Sequence, residues 1–99
     1  MRRRGLREPA ALPDEGRPSF EQVVLPNLDA AYNLARWLVR DAHLAEDIVQ
    51  DAVVRGLTYF ASFRGGDPRA WLMRIVRNTA HSALADRQRA LRHLDAEVT

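Results

Sequence analysis

The sequence contains no cysteine and no lysine. Without thiols, neither a disulfide nor a thiolate metal site can form. Without lysine, all 15 cationic side chains are arginines. A guanidinium presents a planar fork of donors that suits phosphate and carboxylate oxygens. The same bias also fits codon usage acting on a solvated surface. The chain has no apolar run of the roughly 18 residues that a membrane-spanning helix needs. Met1-Arg2-Arg3-Arg4 is not followed by an apolar stretch, so it reads neither as a secretory signal nor as a twin-arginine signal. The cytoplasm is the expected location.

Catalytic signatures are absent too. His43, His81 and His93 are scattered, with no HExxH pattern. No G-x-S-x-G, phosphate-binding loop or dinucleotide fingerprint occurs. Ser19, Ser62 and Ser82 have no evident base. No metal, no cofactor and no enzymatic activity are expected.

What remains is a small domain of 99 residues with a net charge of +2. That total hides a separation of sign. Residues 41–51 carry four acids and no arginine, whereas residues 64–99 carry seven arginines against four acids. Residues 1–18, with five arginines and three prolines, show no periodicity and are expected to form a disordered tail. Residues 19–90 are expected to form one helical domain.

Helical periodicity organises that domain. The first helix is expected over 19–40, opened by a Ser19/Gln22 capping box. Pro26 should kink or restart it, pushing Leu25 out of helical geometry. Arg36, Trp37 and Arg40 should lie outside or at an edge. The second helix is expected over 42–62, with Asp41 as N-cap. Its apolar arc comprises Leu44, Ala45, Ile48, Val49, Ala52, Val53, Gly56, Leu57 and Phe60. Gly65-Gly66 breaks the pattern, and Asp67-Pro68 supplies an N-cap and first-turn proline for a third helix. That helix should run to about residue 86–90 and bury Leu72, Ile75, Val76, Thr79, Ala80 and Ala83. No strand alternation or internal repeat appears. The fold class is therefore all-α, a compact bundle of three helices, or four if Pro26 splits the first.

Two faces and a loop stand out. Glu46, Asp47, Gln50 and Asp51 fall within about 140° of arc on the second helix. Carboxylates in the first turns of a helix favour its dipole, which accounts for Glu46 and Asp47 but less well for Asp51. The same face could receive arginines from a partner. On the third helix, Arg74, Arg77, Asn78 and His81 form a basic polar stripe of types that contact phosphates and base edges. Either face could instead be merely solvated. Tyr59, Phe60, Phe63 and Trp71 flank the glycine pair. Phe60 and Trp71 read as core, while Tyr59 and Phe63 remain open between core and base stacking.

Taken in order, Ala45-Glu46-Asp47-Ile48-Val49-Gln50-Asp51, then Tyr59-Phe60-x-x-Phe63-Arg64, then Arg69-Ala70-Trp71-Leu72-x-x-Ile75-x-Arg77-Asn78 resemble the second conserved region of bacterial sigma factors. The similarity is greatest to the extracytoplasmic-function group of the sigma-70 family and covers residues 19–90. The resemblance implies docking on the β′ clamp helices of core RNA polymerase through Glu46, Asp47, Gln50 and Asp51. It implies recognition and melting of the −10 promoter element, with a non-template base flipped into the loop at Phe63, Arg64, Gly65, Gly66 and Asp67. Arg69, Arg74, Arg77, Asn78 and His81 would track the strand, and an anti-sigma factor is the expected regulator.

The chain departs from that pattern at Leu44, where the family is often acidic, at Ser82, often Asp or Asn, and at Ala85, often basic. Arg87 and Arg89 could compensate for the last of these. Residues 91–99 would begin the linker to a second, −35-binding domain; the chain is then either a fragment, which is the expectation, or an unusual single-domain member. The alternative to the sigma reading is a helical protein-interaction module without a DNA function.

Overall fold

The computed structural model describes residues 18–98. The expected tail therefore lies outside the described residues except for Pro18. Among the described residues every element is helical, with no strand.

Helix α1 (Phe20–Val24) begins at the expected capping box. Ser19 Oγ accepts from the Gln22 N–H at 3.1 Å, while Gln22 Oε1 accepts from the Ser19 N–H at 2.8 Å. A 3₁₀ turn, Leu25–Asn27, then carries Pro26 and separates α1 from α2 (Leu28–Val39). Proline thus restarts the helix. Leu25, however, keeps helical geometry (φ −59°, ψ −45°), contrary to the expectation that Pro26 would displace it. The tighter turn accommodates the ring, and Asn27 Nδ2 donates to the Val23 carbonyl at 2.6 Å.

Helix α2 ends at Arg40, which adopts the left-handed conformation (φ 59°, ψ 29°) usually left to glycine. The Arg40 N–H donates to the Arg36 carbonyl at 2.8 Å, closing the helix. Asp41 returns to extended geometry and caps α3 (Ala42–Tyr59), its side chain accepting from the Leu44 N–H. A second 3₁₀ turn, Phe60–Ser62, leads into the glycine loop. Helix α4 (Pro68–Val98) starts where the Asp67-Pro68 signal placed it.

Helix α4 continues well past residues 86–90. The stretch after Leu84 contains neither Gly nor Pro and is rich in Ala, Leu and Arg, which favour helix. It does not extend the core, because residues 85–96 are exposed.

The core lies where α2, α3 and α4 meet. Ala31, Ala35 and Val39 face Ala45, Ile48 and Ala52, with Leu72, Val76 and Ala80 closing the third side. So many alanines let the helix backbones approach closely. Thr79 is the one polar side chain buried with them among the described residues, and its hydroxyl donates to the Ile75 carbonyl at 2.7 Å. One expected core residue is misplaced: Leu57 is 62% exposed. It lies eleven positions after Glu46, hence within about 20° of it around the helix axis, so it faces out with the acidic residues.

Candidate functional site

The acidic face is a surface of α3. Glu46, Asp47, Gln50 and Asp51 are all exposed. Asp51 Oδ2 lies 4.0 Å from Arg55 Nη2, a loose pair between exposed groups, and such pairs contribute little. Among the described residues no ion pair engages Glu46 or Asp47. Beyond the carboxylates the same face turns apolar, with Val54 63% exposed beside Leu57. The face is thus acidic toward the start of α3 and apolar toward its end. The apolar character of these two residues hides their place on it, although the 100° step per residue carries the signal.

The loop rests on an aromatic cluster. Phe63 is 4% exposed. Its ring stacks on Phe60 at 5.9 Å between centroids and lies 5.3 Å from Trp71. Phe20 of α1 meets Phe60 edge-on at 5.5 Å, and Phe60 meets Trp71 edge-on at 5.8 Å. Gly56 admits this cluster to α3. A Cβ there would lie 3.3 Å from Phe20 Cε1 and 3.7 Å from Trp71 Cη2. Phe63, expected among the strand-binding residues, therefore has a buried ring that is not presented for base stacking. It anchors one end of the loop instead. Tyr59, the other aromatic left open, is exposed.

After Phe63 the chain turns outward. Gly65 (φ 104°) and Gly66 (φ 83°) both occupy conformations that a Cβ disfavours, and both face open space. Two such residues in succession fix the path of the loop. Arg64 Nη1 donates to the Ala61 carbonyl at 2.6 Å, which folds its guanidinium back over the preceding 3₁₀ turn. At the far end Asp67 Oδ1 accepts from the Arg69 N–H at 3.0 Å, and the Asp67 carbonyl from the Trp71 N–H at 3.1 Å. The loop is therefore held by a buried ring on one side and a helix cap on the other.

The stripe on α4 is open. Arg69, Arg74, Arg77, Asn78 and His81 are exposed. The last four span about 100° of arc on the side away from Leu72 and Val76. No ion pair among the described residues neutralises Arg69, Arg74 or Arg77. The arginines further along differ. Arg87 pairs with Asp41 at 3.1 Å, and Arg89 pairs with Asp86 one turn before it. Both could compensate for Ala85 by sequence position, but both already have internal partners. Asp41 has a displaced titration. The Leu44 N–H, and after it the Arg87 guanidinium, hold its carboxyl below the usual aspartate range.

Residues 23–90 match the family model for sigma-70 region 2. Two curated relatives are similar to the chain. The RNA polymerase sigma-H factor of Pseudomonas aeruginosa is 34% identical over 82 residues, covering 82% of this chain and 42% of that protein. The ECF RNA polymerase sigma factor SigE of Mycolicibacterium smegmatis is 33% identical over 61 residues, covering 62% of this chain and 24% of that protein. The chain thus spans less than half the length of either relative. No solved structure matches it.

Proposed function

The chain belongs to the sigma-70 family, in which it corresponds to region 2, and from that premise we propose that it is the polymerase-docking and −10-recognising domain of an extracytoplasmic-function sigma factor. The observation that carries this reading is the separation of two open faces of opposite charge, α3 acidic and α4 basic, on either side of an anchored loop.

In this reading Glu46, Asp47, Gln50 and Asp51 receive basic and polar side chains from the β′ clamp helices of core RNA polymerase. Val54 and Leu57 add an apolar end to the same contact. Charge pairing fixes register and speeds encounter, and the apolar end supplies area from which water is expelled. An anti-sigma factor would act most simply by covering this face. Residues 19–90 form the working domain, and the exposed last turns of α4 lead toward a linker.

The loop performs the capture step. Flipping a base from the non-template strand costs a few kcal/mol, which pocket contacts must recover. A loop already held by Phe63 and Asp67 loses little further entropy on binding. Gly65 and Gly66 leave the backbone open to close approach, and Arg64 sits where it can turn from the Ala61 carbonyl to a phosphate or base edge. Arg69, Arg74, Arg77, Asn78 and His81 then hold the flanking strand. These steps require no covalent chemistry of the protein, and the place of action is the cytoplasm, where polymerase works.

The test is binding to single-stranded oligonucleotides of varied −10-like sequence, with and without core polymerase. Polymerase-dependent, sequence-selective binding is expected. Polymerase binding without base preference would remove −10 recognition from the loop. Binding to neither would favour a helical protein-interaction module.

A further inference from the structure

Trp37 is the most exposed large apolar side chain among the described residues, at 69%. It lies neither on the acidic face of α3 nor on the stripe of α4. On α2, Asn33, Arg36, Trp37 and Arg40 fall within about 100° of arc, and all four are exposed. Arg40, in its left-handed cap position, donates from Nε to the Trp37 carbonyl at 3.3 Å, and its Cζ lies 6.0 Å from the indole centroid. A cation over one face of an indole leaves the opposite face for a second planar group.

The charge around this indole is positive. The nearest carboxylate along the face is Asp29, two turns earlier. The next residue after Arg40, Asp41, is occupied by the Leu44 N–H and by Arg87. One open indole face with a guanidinium one residue before it and another three residues after it matches the needs of single-stranded nucleic acid. A base stacks on the ring while phosphates take the cations. An acidic peptide would satisfy the charges but would leave the indole face without a matching group.

We propose that Arg36, Trp37 and Arg40 form a second single-strand contact, separate from the 63–67 loop. Arg87, the partner of Asp41, follows Pro68 by nineteen residues, or about 28 Å along α4 at the helical rise. The patch therefore lies at the end of the bundle away from the loop. A strand held at the loop would need roughly eight nucleotides to reach it at the B-form spacing. This contact goes beyond the −10 reading and does not depend on it.

The test is a fluorescence titration of the chain with oligothymidylate, using the difference between wild type and Trp37→Leu to isolate the Trp37 signal. Trp37 is exposed, so that substitution should leave far-UV circular dichroism unchanged. Oligothymidylate should quench the Trp37 emission, and Trp37→Leu should weaken binding about tenfold. Arg36→Gln and Arg40→Gln should each reduce the logarithmic salt slope by about 0.7. Arg64→Ala combined with Arg77→Ala should leave the Trp37 quenching in place, which separates this contact from the loop. Unchanged emission, or equal affinity of Trp37→Leu, would overturn the proposal. A response to polyglutamate but not to oligothymidylate would overturn it in favour of an acidic protein partner. Quenching on raising protein concentration alone would overturn it in favour of self-association.

Discussion

Asp41 and Arg87, 46 positions apart in sequence, join the start of α3 to the distal half of α4. One carboxylate oxygen of Asp41 accepts from the Leu44 N–H at 3.1 Å, and the other from Arg87 Nη2 at 3.1 Å. A single side chain thus caps one helix and ties down the helix that carries the basic stripe. Both partners are partly exposed, so the pair itself should contribute little. The cap, which satisfies an otherwise unpaired helix N–H, should contribute more. Asp41→Ala should therefore cost more than Arg87→Ala in denaturant unfolding, while Asp41→Asn, which keeps the cap, should resemble Arg87→Ala.

The same carboxylate makes stability depend on acid. Its native titration is lowered, chiefly by the Leu44 N–H and then by Arg87. A lowered native value favours the ionised form in the folded state. The stabilisation is therefore complete above the ordinary aspartate range and is lost as pH falls through the depressed native value. Comparing wild type with Asp41→Asn across pH should give a constant difference at neutral pH that shrinks under acid conditions. A difference independent of pH would mean that the Asp41 carboxylate is not specially stabilised by folding.

The fold was legible where local chemistry decides it. The capping box at Ser19, the cap at Asp41 and the Asp67-Pro68 start are short-range signals, and each opens a helix where the sequence placed it. The end of α4 was not legible, because nothing in residues 85–98 stops a helix and no core contact is needed to continue one. Leu57 reads as inward from its apolar character, although its angular position beside Glu46 points outward. At the loop, the aromatic spacing of Phe60, Phe63 and Trp71 was visible but not the fate of each ring. Phe63 packs on Phe60 and on Trp71 across the loop, and Phe60 is itself met by Phe20 of α1, a long-range contact that no local pattern encodes. The internal pairing of Arg87 is long-range in the same way.

The docking assignment makes a charge-reversal prediction. Asp47→Arg together with Asp51→Arg changes two exposed positions beyond the first turn of α3, so helicity should be retained. Binding to core polymerase should fall by at least two orders of magnitude if these carboxylates meet basic side chains, since each reversal replaces attraction with repulsion at an interface. Leu57→Ser should weaken the same binding without changing its salt dependence. Wild-type affinity in the charge-reversed protein would remove α3 from the docking surface.

The loop should depend on its cap. Asp67→Ala removes the acceptor for the Arg69 N–H and should destabilise the chain by about 0.5–2 kcal/mol in thermal or denaturant unfolding. It should also weaken strand capture more than polymerase docking, because Asp67 fixes one end of the loop while α3 is untouched. Equal losses in the two assays would point to global destabilisation rather than to an effect on the loop.

Arg77 offers a test of the strand path that leaves the fold intact. Its side chain is exposed on α4, with no ion pair among the described residues, so Arg77→Ala should leave unfolding within about 0.5 kcal/mol of wild type. If Arg77 neutralises one phosphate of the captured strand, the substitution should weaken single-strand binding and reduce the logarithmic salt slope by about 0.7. Sequence preference should persist, because a phosphate contact carries no base information. Lost preference with an unchanged slope would assign Arg77 to a base edge, whereas neither change would take it off the path. Arg89→Ala provides the internal control. That guanidinium is already paired with Asp86, so its removal should alter the slope less than removal of Arg77 does.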